Sequence, residues 1–327
     1  MNTKGRCVRR HSRPSLMQAH ASLLFAGMSL AMLALARMLL PREWSSVEAS
    51  PLWDGLYGAM LLIQSVSLTD TIKRSVRANR LRLNAPTIAQ VIFTLLAVCA
   101  GLLFTDDLTL LTGACLQRLG LDVSRSIASS VPDQPYLYCA KVLFASVLPA
   151  FGMGCFFYGA QMAAWERRGT KYALWTVSLF AALLCGSVVQ LPSGLVIALA
   201  MGYIAAYTGS LFLAVFLRMC ISIAGIAARY IQTHVGMEAA RFGRLWAELG
   251  GVRGMPLLAL ETLLLGLVFF CMVWATCCTK PAKASAWRER PDAIKPMNPA
   301  DVFVLATAIA TGLMILLADF MQMAGIF

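Results

Sequence analysis

The sequence predicts an all-α membrane protein, a polytopic bundle of about nine transmembrane helices. Of its 327 residues, 59% are hydrophobic and only 13% are charged, and the mean hydropathy is +0.70. This composition is too apolar for a soluble globular protein. The apolar residues also form long continuous runs, whereas a transmembrane β-barrel shows alternation along each strand.

Nine apolar runs follow one another along the chain, and each predicts a helix. We expect them at about 16–40, 52–68, 86–104, 138–164, 172–190, 194–207, 211–230, 256–278 and 300–327. The sixth run is short and has tight breaks on both sides, so it either spans the membrane or is re-entrant. Short connections of this kind join antiparallel neighbours.

The segments between the runs suggest four regions. Residues 1–15 form a basic N-terminus, 16–136 hold the first helices and a loop, 137–230 hold four core helices, and 231–327 hold the last helices with a basic linker at 280–299. We expect a long connection from Asp106 to Pro135, with an interfacial helix at 116–127. A second amphipathic connection is expected at 231–254. The alternative for the first run is a signal peptide cleaved after Ala36.

The net charge of +12 predicts the orientation of the chain in an inner or plasma membrane. Basic residues concentrate at 73–82, 165–171 and 280–295, which an N-terminus on the cytoplasmic side places on the cytoplasmic side too. Because these charges lie between apolar runs and cover no single face of a folded domain, a nucleic-acid partner is excluded. The lipid bilayer is the expected partner.

The ten cysteines show no C-x-x-C spacing, so neither a zinc site nor a disulfide framework is predicted. Six of them lie within apolar runs and are expected to be small core residues: Cys99, Cys139, Cys155, Cys185, Cys220 and Cys271.

Three charged residues interrupt the apolar runs, and such residues are usually paired or functional. Arg218 lies near the middle of the seventh run, Glu261 in the eighth and Asp319 in the ninth. We predict an intramembrane charge network in which Arg218 is neutralised by one of the acids. The alternative is a polar pathway for a transported substrate.

The stretch from 149 to 222 carries a motif-like frame. It begins Phe151-Gly152-Met153-Gly154-Cys155-Phe156-Phe157-Tyr158-Gly159. This frame resembles the CPBP family of intramembrane metalloproteases, also called Abi, which includes CAAX prenyl endopeptidases and bacteriocin-processing proteins. Met153 and Gly154 stand where that family has a glutamate pair, and Tyr158 stands where it has an arginine.

The later motifs of the family fall on three further residues. Gln190 and Arg218 occupy the positions of its histidines, and Ser222 follows Arg218 at the position of an asparagine. Between them, the turn Thr208-Gly209-Ser210-Leu211 is similar to a family turn. The resemblance implies a four-helix core of the CPBP type at 137–230.

The family's chemistry, as the resemblance implies it, uses Glu and His to hold a metal or activate water. Between Tyr138 and Tyr230 this chain has one acid, Glu166, and no histidine. We therefore expect no catalytic residue, no metal and no other cofactor. The predicted function is an inactive relative that acts as a membrane scaffold or binds a partner helix, a lipid or a lipid-modified peptide. The alternatives are a transporter or permease subunit that uses Arg218, Glu261 and Asp319, and an active endopeptidase with atypical residues.

Overall fold

The computed structural model describes residues 16–39, 50–69, 82–121, 123, 135–166, 169–184, 187–235, 242–279 and 299–324. Within these ranges the chain is almost entirely helical, and the one β-type pairing is an isolated antiparallel bridge between Leu83 and Ser210. The all-α class predicted from composition is confirmed.

The described helices are numbered here in chain order. They are α1 (Leu16–Leu39), α2 (Ser50–Thr69), α3 (Ile88–Arg118), α4, α5 (Thr170–Leu183), α6 (Leu191–Thr208), α7 (Leu211–Val235), α8 (Phe242–Cys278) and α9 (Pro299–Met323). Helix α4 joins α-helical turns at Pro135–Lys141, Leu148–Met153 and Met162–Trp165 with π-helical segments at Val142–Val147 and Gly154–Gln161.

Several of these helices are suited to a bilayer. Within the described ranges, five are long and apolar enough to cross one: Ile88–Arg118, Tyr138–Trp165, Leu191–Thr208, Leu211–Ala228 and Gly254–Cys278. Shorter apolar stretches lie in α1, α2 and α9. The chain is therefore a multipass membrane protein, and the sixth run is a helix of 18 residues. The count of nine spans stays a prediction.

Local sequence explains where the helices begin and end. Thr87 and Gln90 form a reciprocal capping box at the start of α3, which satisfies two backbone N–H groups that have no partner within the helix. Helix α6 has a proline in its first turn and ends at Gly209, which adopts a left-handed conformation at φ 67°. Glycine takes that conformation without the steric cost of a β-carbon.

Three predicted boundaries are corrected by the structure. Helix α3 continues through Asp106 to Arg118, so the long connection begins later and residues 116–118 belong to α3. Helix α8 begins at Phe242 and carries Pro256 inside it, which shortens the predicted 231–254 connection. Helix α5 ends at Leu183, and its 14 residues extend only roughly 21 Å.

The described connections lie at two ends of the bundle. At one end, called here the Arg82 face, the Leu211 amide donates to the Arg82 carbonyl at 2.7 Å. At the other end, the Asp319 face, the Val188 amide donates to the Asp319 carboxylate at 2.8 Å. Helices α3 and α7 run from the Arg82 face to the Asp319 face, and α8 runs back.

The core lies around α4, where glycines permit close contact between helices. A β-carbon at Gly152 would lie 2.5 Å from the Gly58 carbonyl oxygen of α2. Gln161, at the end of the second π-helical segment, donates to the Ala19 carbonyl of α1 at 2.9 Å. Gly152 thus brings α4 against α2, and Gln161 connects α4 to α1.

The prediction that cysteines fill the core is wrong for several of them. Cys99, Cys139 and Cys271 are exposed on the outside of the bundle, while Cys155 and Cys220 are partly buried. Cys185 lies outside the described residues. Because the bilayer solvates apolar side chains, a cysteine in an apolar run can face either lipid or protein.

Candidate functional site

The centre of the predicted CPBP-like core is closed by hydrogen bonds and close packing. The Tyr158 hydroxyl, on the π-helical segment of α4, donates to the Ala198 carbonyl of α6 at 2.8 Å. The Ser178 hydroxyl of α5 donates to the same oxygen at 3.1 Å. A β-carbon at Gly202 would lie 3.2 Å from the Tyr158 ring. Three helices therefore meet where the family's arginine would stand.

The positions of the family's glutamate pair are filled by packing. Met153 is 6% exposed and belongs to the main apolar core. Gly154 is buried against Val215 of α7, whose methyl group leaves no room for even a β-carbon. A carboxylate at either position would need space and hydration that the packing does not provide.

The remaining family positions are not gathered around that centre. Gln190 is exposed and directly precedes α6 at the Asp319 face. Arg218 and Ser222 are both partly buried on α7. The Arg218 guanidinium has no ion pair with Glu261 or Asp319 in the ranges that the structure describes.

The two acids of the predicted network have other neighbours. Asp319 accepts the Val188 backbone amide and a hydrogen bond from Ser187, so it fastens the end of α9 to the connection between α5 and α6. Glu261 lies on α8, where its charge acts on Asp107 of α3. Each acid thus has a neighbour other than Arg218 among the described residues, and the network of the three charges stays a prediction.

A buried ion pair that sequence reasoning missed lies at the Arg82 face. Arg82 pairs with Glu166, the residue that follows α4, with side chains 4% and 20% exposed. Its second guanidinium nitrogen lies 2.8 Å from the Met162 sulfur. Burial lowers the pKa of Arg82, while the charge and hydrogen bond of Glu166 oppose that shift. An arginine at the end of a basic segment gave no signal that it would be buried.

Helices α3 and α8 are antiparallel neighbours with a well-defined register. The Gln90 side chain donates to the Thr279 carbonyl at 3.4 Å. Farther along, a β-carbon at Gly266 would lie 2.8 Å from the Phe104 ring. Continuing this register by three residues along α3 places Asp107 beside the turn of α8 that contains Glu261.

Asp107 is a second site residue that the sequence analysis missed. It is 3% exposed, and its Oδ2 atom, like Oε2 of Glu261, is buried without a hydrogen-bond partner. The sequence-based prediction ends the third span at residue 104 and places the acidic pair Asp106-Asp107 in the connection after it. The available signal was the run of apolar residues that resumes after Asp107 at Leu108.

An apolar groove runs along the outside of α5, α6 and α9. Its volume is about 300 Å³, and it is lined by Tyr172, Trp175, Thr176, Leu179, Phe180, Leu195, Leu305 and Ile309. Tyr172 lies at the Arg82 face, directly after the exposed Lys171. The groove therefore begins beside a positive charge at one end of the bundle.

No group of three or more His, Cys, Asp or Glu side chains able to hold a metal occurs among the described residues. The chain matches none of the protein families, curated proteins or solved structures with which it was compared.

Proposed function

We propose that this protein is a non-catalytic multipass membrane protein that binds a phospholipid through the groove of α5, α6 and α9. Its relation to the CPBP family is part of the proposal and is supported by the order of the framework residues alone. The N-terminus and the Arg82 face are proposed to be cytoplasmic, in an inner or plasma membrane, because the described residues that adjoin the basic segments, Arg82, Glu166 and Thr279, lie at that face.

Close packing supports the absence of proteolysis. Catalysis of the family type requires a carboxylate and a bound water or metal at the centre of the core. Gly154 against Val215, and Tyr158 hydrogen-bonded to Ala198, leave no volume for those groups.

The single observation that carries the binding proposal is the size and position of the groove. The groove has a volume of about 300 Å³ and is lined almost entirely by apolar side chains. These walls suit an acyl chain. Lys171, exposed beside it, supplies a charge for a lipid phosphate.

Native mass spectrometry of the protein purified from its membrane tests this proposal. Leu179→Trp fills the groove, and the matched control Leu267→Trp adds the same side chain to an exposed position of α8. We expect wild type and the control to retain a phospholipid through detergent exchange. Leu179→Trp should retain at least tenfold less phospholipid per protein chain. Equal retention in all three proteins would overturn the proposal, as would loss of a co-purifying membrane protein in place of a lipid.

Metal analysis separately tests the proposal that the protein is non-catalytic. We expect less than one zinc or cobalt ion per ten protein chains. A stoichiometric metal whose removal by a chelator abolishes peptide cleavage would show that the enzyme is active.

A further inference from the structure

The strongest unexplained feature of the structure is the carboxylate pair Asp107 and Glu261, which belongs neither to the lipid groove nor to the CPBP-like core. Asp107 lies nineteen residues after Ile88, the start of α3, and so roughly 28 Å from the Arg82 face. The hydrocarbon layer is about 30 Å thick. The pair therefore lies toward the Asp319 face, within about one turn of the membrane boundary.

The surroundings of the pair offer no compensating cation in the described part of the chain. Asp106, on the same helix, is another acid. Helix α6, which packs on both α3 and α8, carries no charged residue. Gly101 of α3 faces Ile221 of α7. Because the two helices run in the same direction, Asp107 lies level with position 227, and Arg218 lies nine residues, or roughly 13 Å, from that level. Arg229 lies nearer to that level, and its side chain is outside the described residues.

Two carboxylates in this setting cannot both carry a charge at low cost. An ionised carboxylate without a partner costs several kcal/mol to bury, and a second negative charge beside it adds repulsion. Asp107 is 3% exposed. One carboxylate oxygen of Asp107 and one of Glu261 are buried without a hydrogen-bond partner. A proton on Asp107 removes both the buried charge and the repulsion.

We propose that Asp107 is an intramembrane proton-binding residue, which holds a proton beside the carboxyl group of Glu261. The proton exchanges with water at the Asp319 face, where Asp106 is half-buried on the same turn of α3. When the proton leaves, two negative charges oppose each other across the contact between α3 and α8. Protonation at the site and close packing of these two helices are therefore coupled.

Infrared difference spectroscopy of the full chain in lipid nanodiscs tests the site. A protonated carboxylic acid in an apolar environment has a C=O stretching band that a carboxylate lacks. We expect this band in wild type at neutral pH, with loss as pH rises. Asp107→Asn should remove it, and Asp106→Asn, the matched control on the neighbouring residue, should leave it.

The variant Glu261→Gln provides a second, independent test in the same infrared measurement. Without the anionic neighbour that helps to hold the proton, the band should disappear at a pH at least one unit lower than in wild type. Absence of the band from wild type at neutral pH, or its survival in Asp107→Asn, would overturn the proposal. So would a sodium-dependent stabilisation that both Asp107→Asn and Glu261→Gln abolish, since that result would identify a metal-cation site. These measurements do not involve lipid retention, so their outcome is independent of whether the groove binds a phospholipid.

Discussion

The ion pair at the Arg82 face predicts an asymmetric response to mutation. Arg82 is almost completely buried, whereas a fifth of the Glu166 side chain reaches the surface. Removing the acid leaves a charged guanidinium against the Met162 sulfur. Removing the base leaves a carboxylate that water can reach. We therefore expect Glu166→Gln to be more destabilising than Arg82→Met.

The structure sets the scale of both effects. An uncompensated buried charge costs about 3–5 kcal/mol, so Glu166→Gln should lower the free energy of unfolding by about that amount. Arg82→Met keeps most of the buried volume and loses a charged hydrogen bond, which contributes about 1.5–3 kcal/mol. Arg82 also adopts a left-handed backbone conformation, at φ 57°, which costs about 1–3 kcal/mol and is unchanged by either substitution.

Equilibrium unfolding in mixed micelles, followed by circular dichroism, measures these differences. The double variant should cost about 1–3 kcal/mol less than the sum of the single variants, because the two side chains interact directly. Lys171→Met is the control, since it removes a cation from an exposed position and should change the free energy of unfolding by at most about 0.5 kcal/mol. Strictly additive effects, or a larger loss for Arg82→Met than for Glu166→Gln, would refute this account of the pair.

Three further predictions concern the core and the surface. Gly154→Ala should lower the free energy of unfolding by about 1–3 kcal/mol through overpacking, and Val215→Ala in the same chain should recover part of it; no recovery would show that the two sites do not touch. Tyr158→Phe should cost about 1 kcal/mol in the same unfolding assay, because the Ala198 carbonyl loses a donor; an unchanged stability would contradict that bond. Cys99, exposed near the middle of α3, faces lipid, where a thiol does not ionise, so a maleimide should label it slowly in the folded protein and quickly after unfolding; equal rates in both states would place it in contact with water.

The fold class was predictable because the bilayer imposes one simple condition on sequence. A run of apolar residues long enough to cross hydrocarbon must form a helix, since no water is present to satisfy its backbone. Composition and run length therefore located the helices that cross the membrane, and the starts of α1 and α7 agree with the runs. Their other ends were less predictable. Helix α3 continues past Asp106 because hydrogen bonding and packing against α8 determine where it ends, and a hydropathy run measures neither.

The site was less predictable because partner choice depends on which helix faces are turned toward each other. Arg218, Glu261 and Asp319 were grouped because each is charged within an apolar run. In the structure, Asp319 accepts a hydrogen bond from a backbone amide on the connection before α6. The charge of Glu261 acts on an acid of α3. Depth along a helix can be estimated from residue number, but the rotation of each helix about its axis and the order of neighbours cannot.

The contrast between the two acids explains why only one of them belongs to the proposed proton site. Asp319 accepts hydrogen bonds from the amide of Val188 and the hydroxyl of Ser187, and both bonds favour its charged form. Asp107 has an oxygen without any donor and an acid as its neighbour. Hydrogen bonds to a carboxylate favour its charged form, whereas burial beside another acid favours the neutral form. The same residue type therefore fastens a helix end at one position and holds a proton at the other.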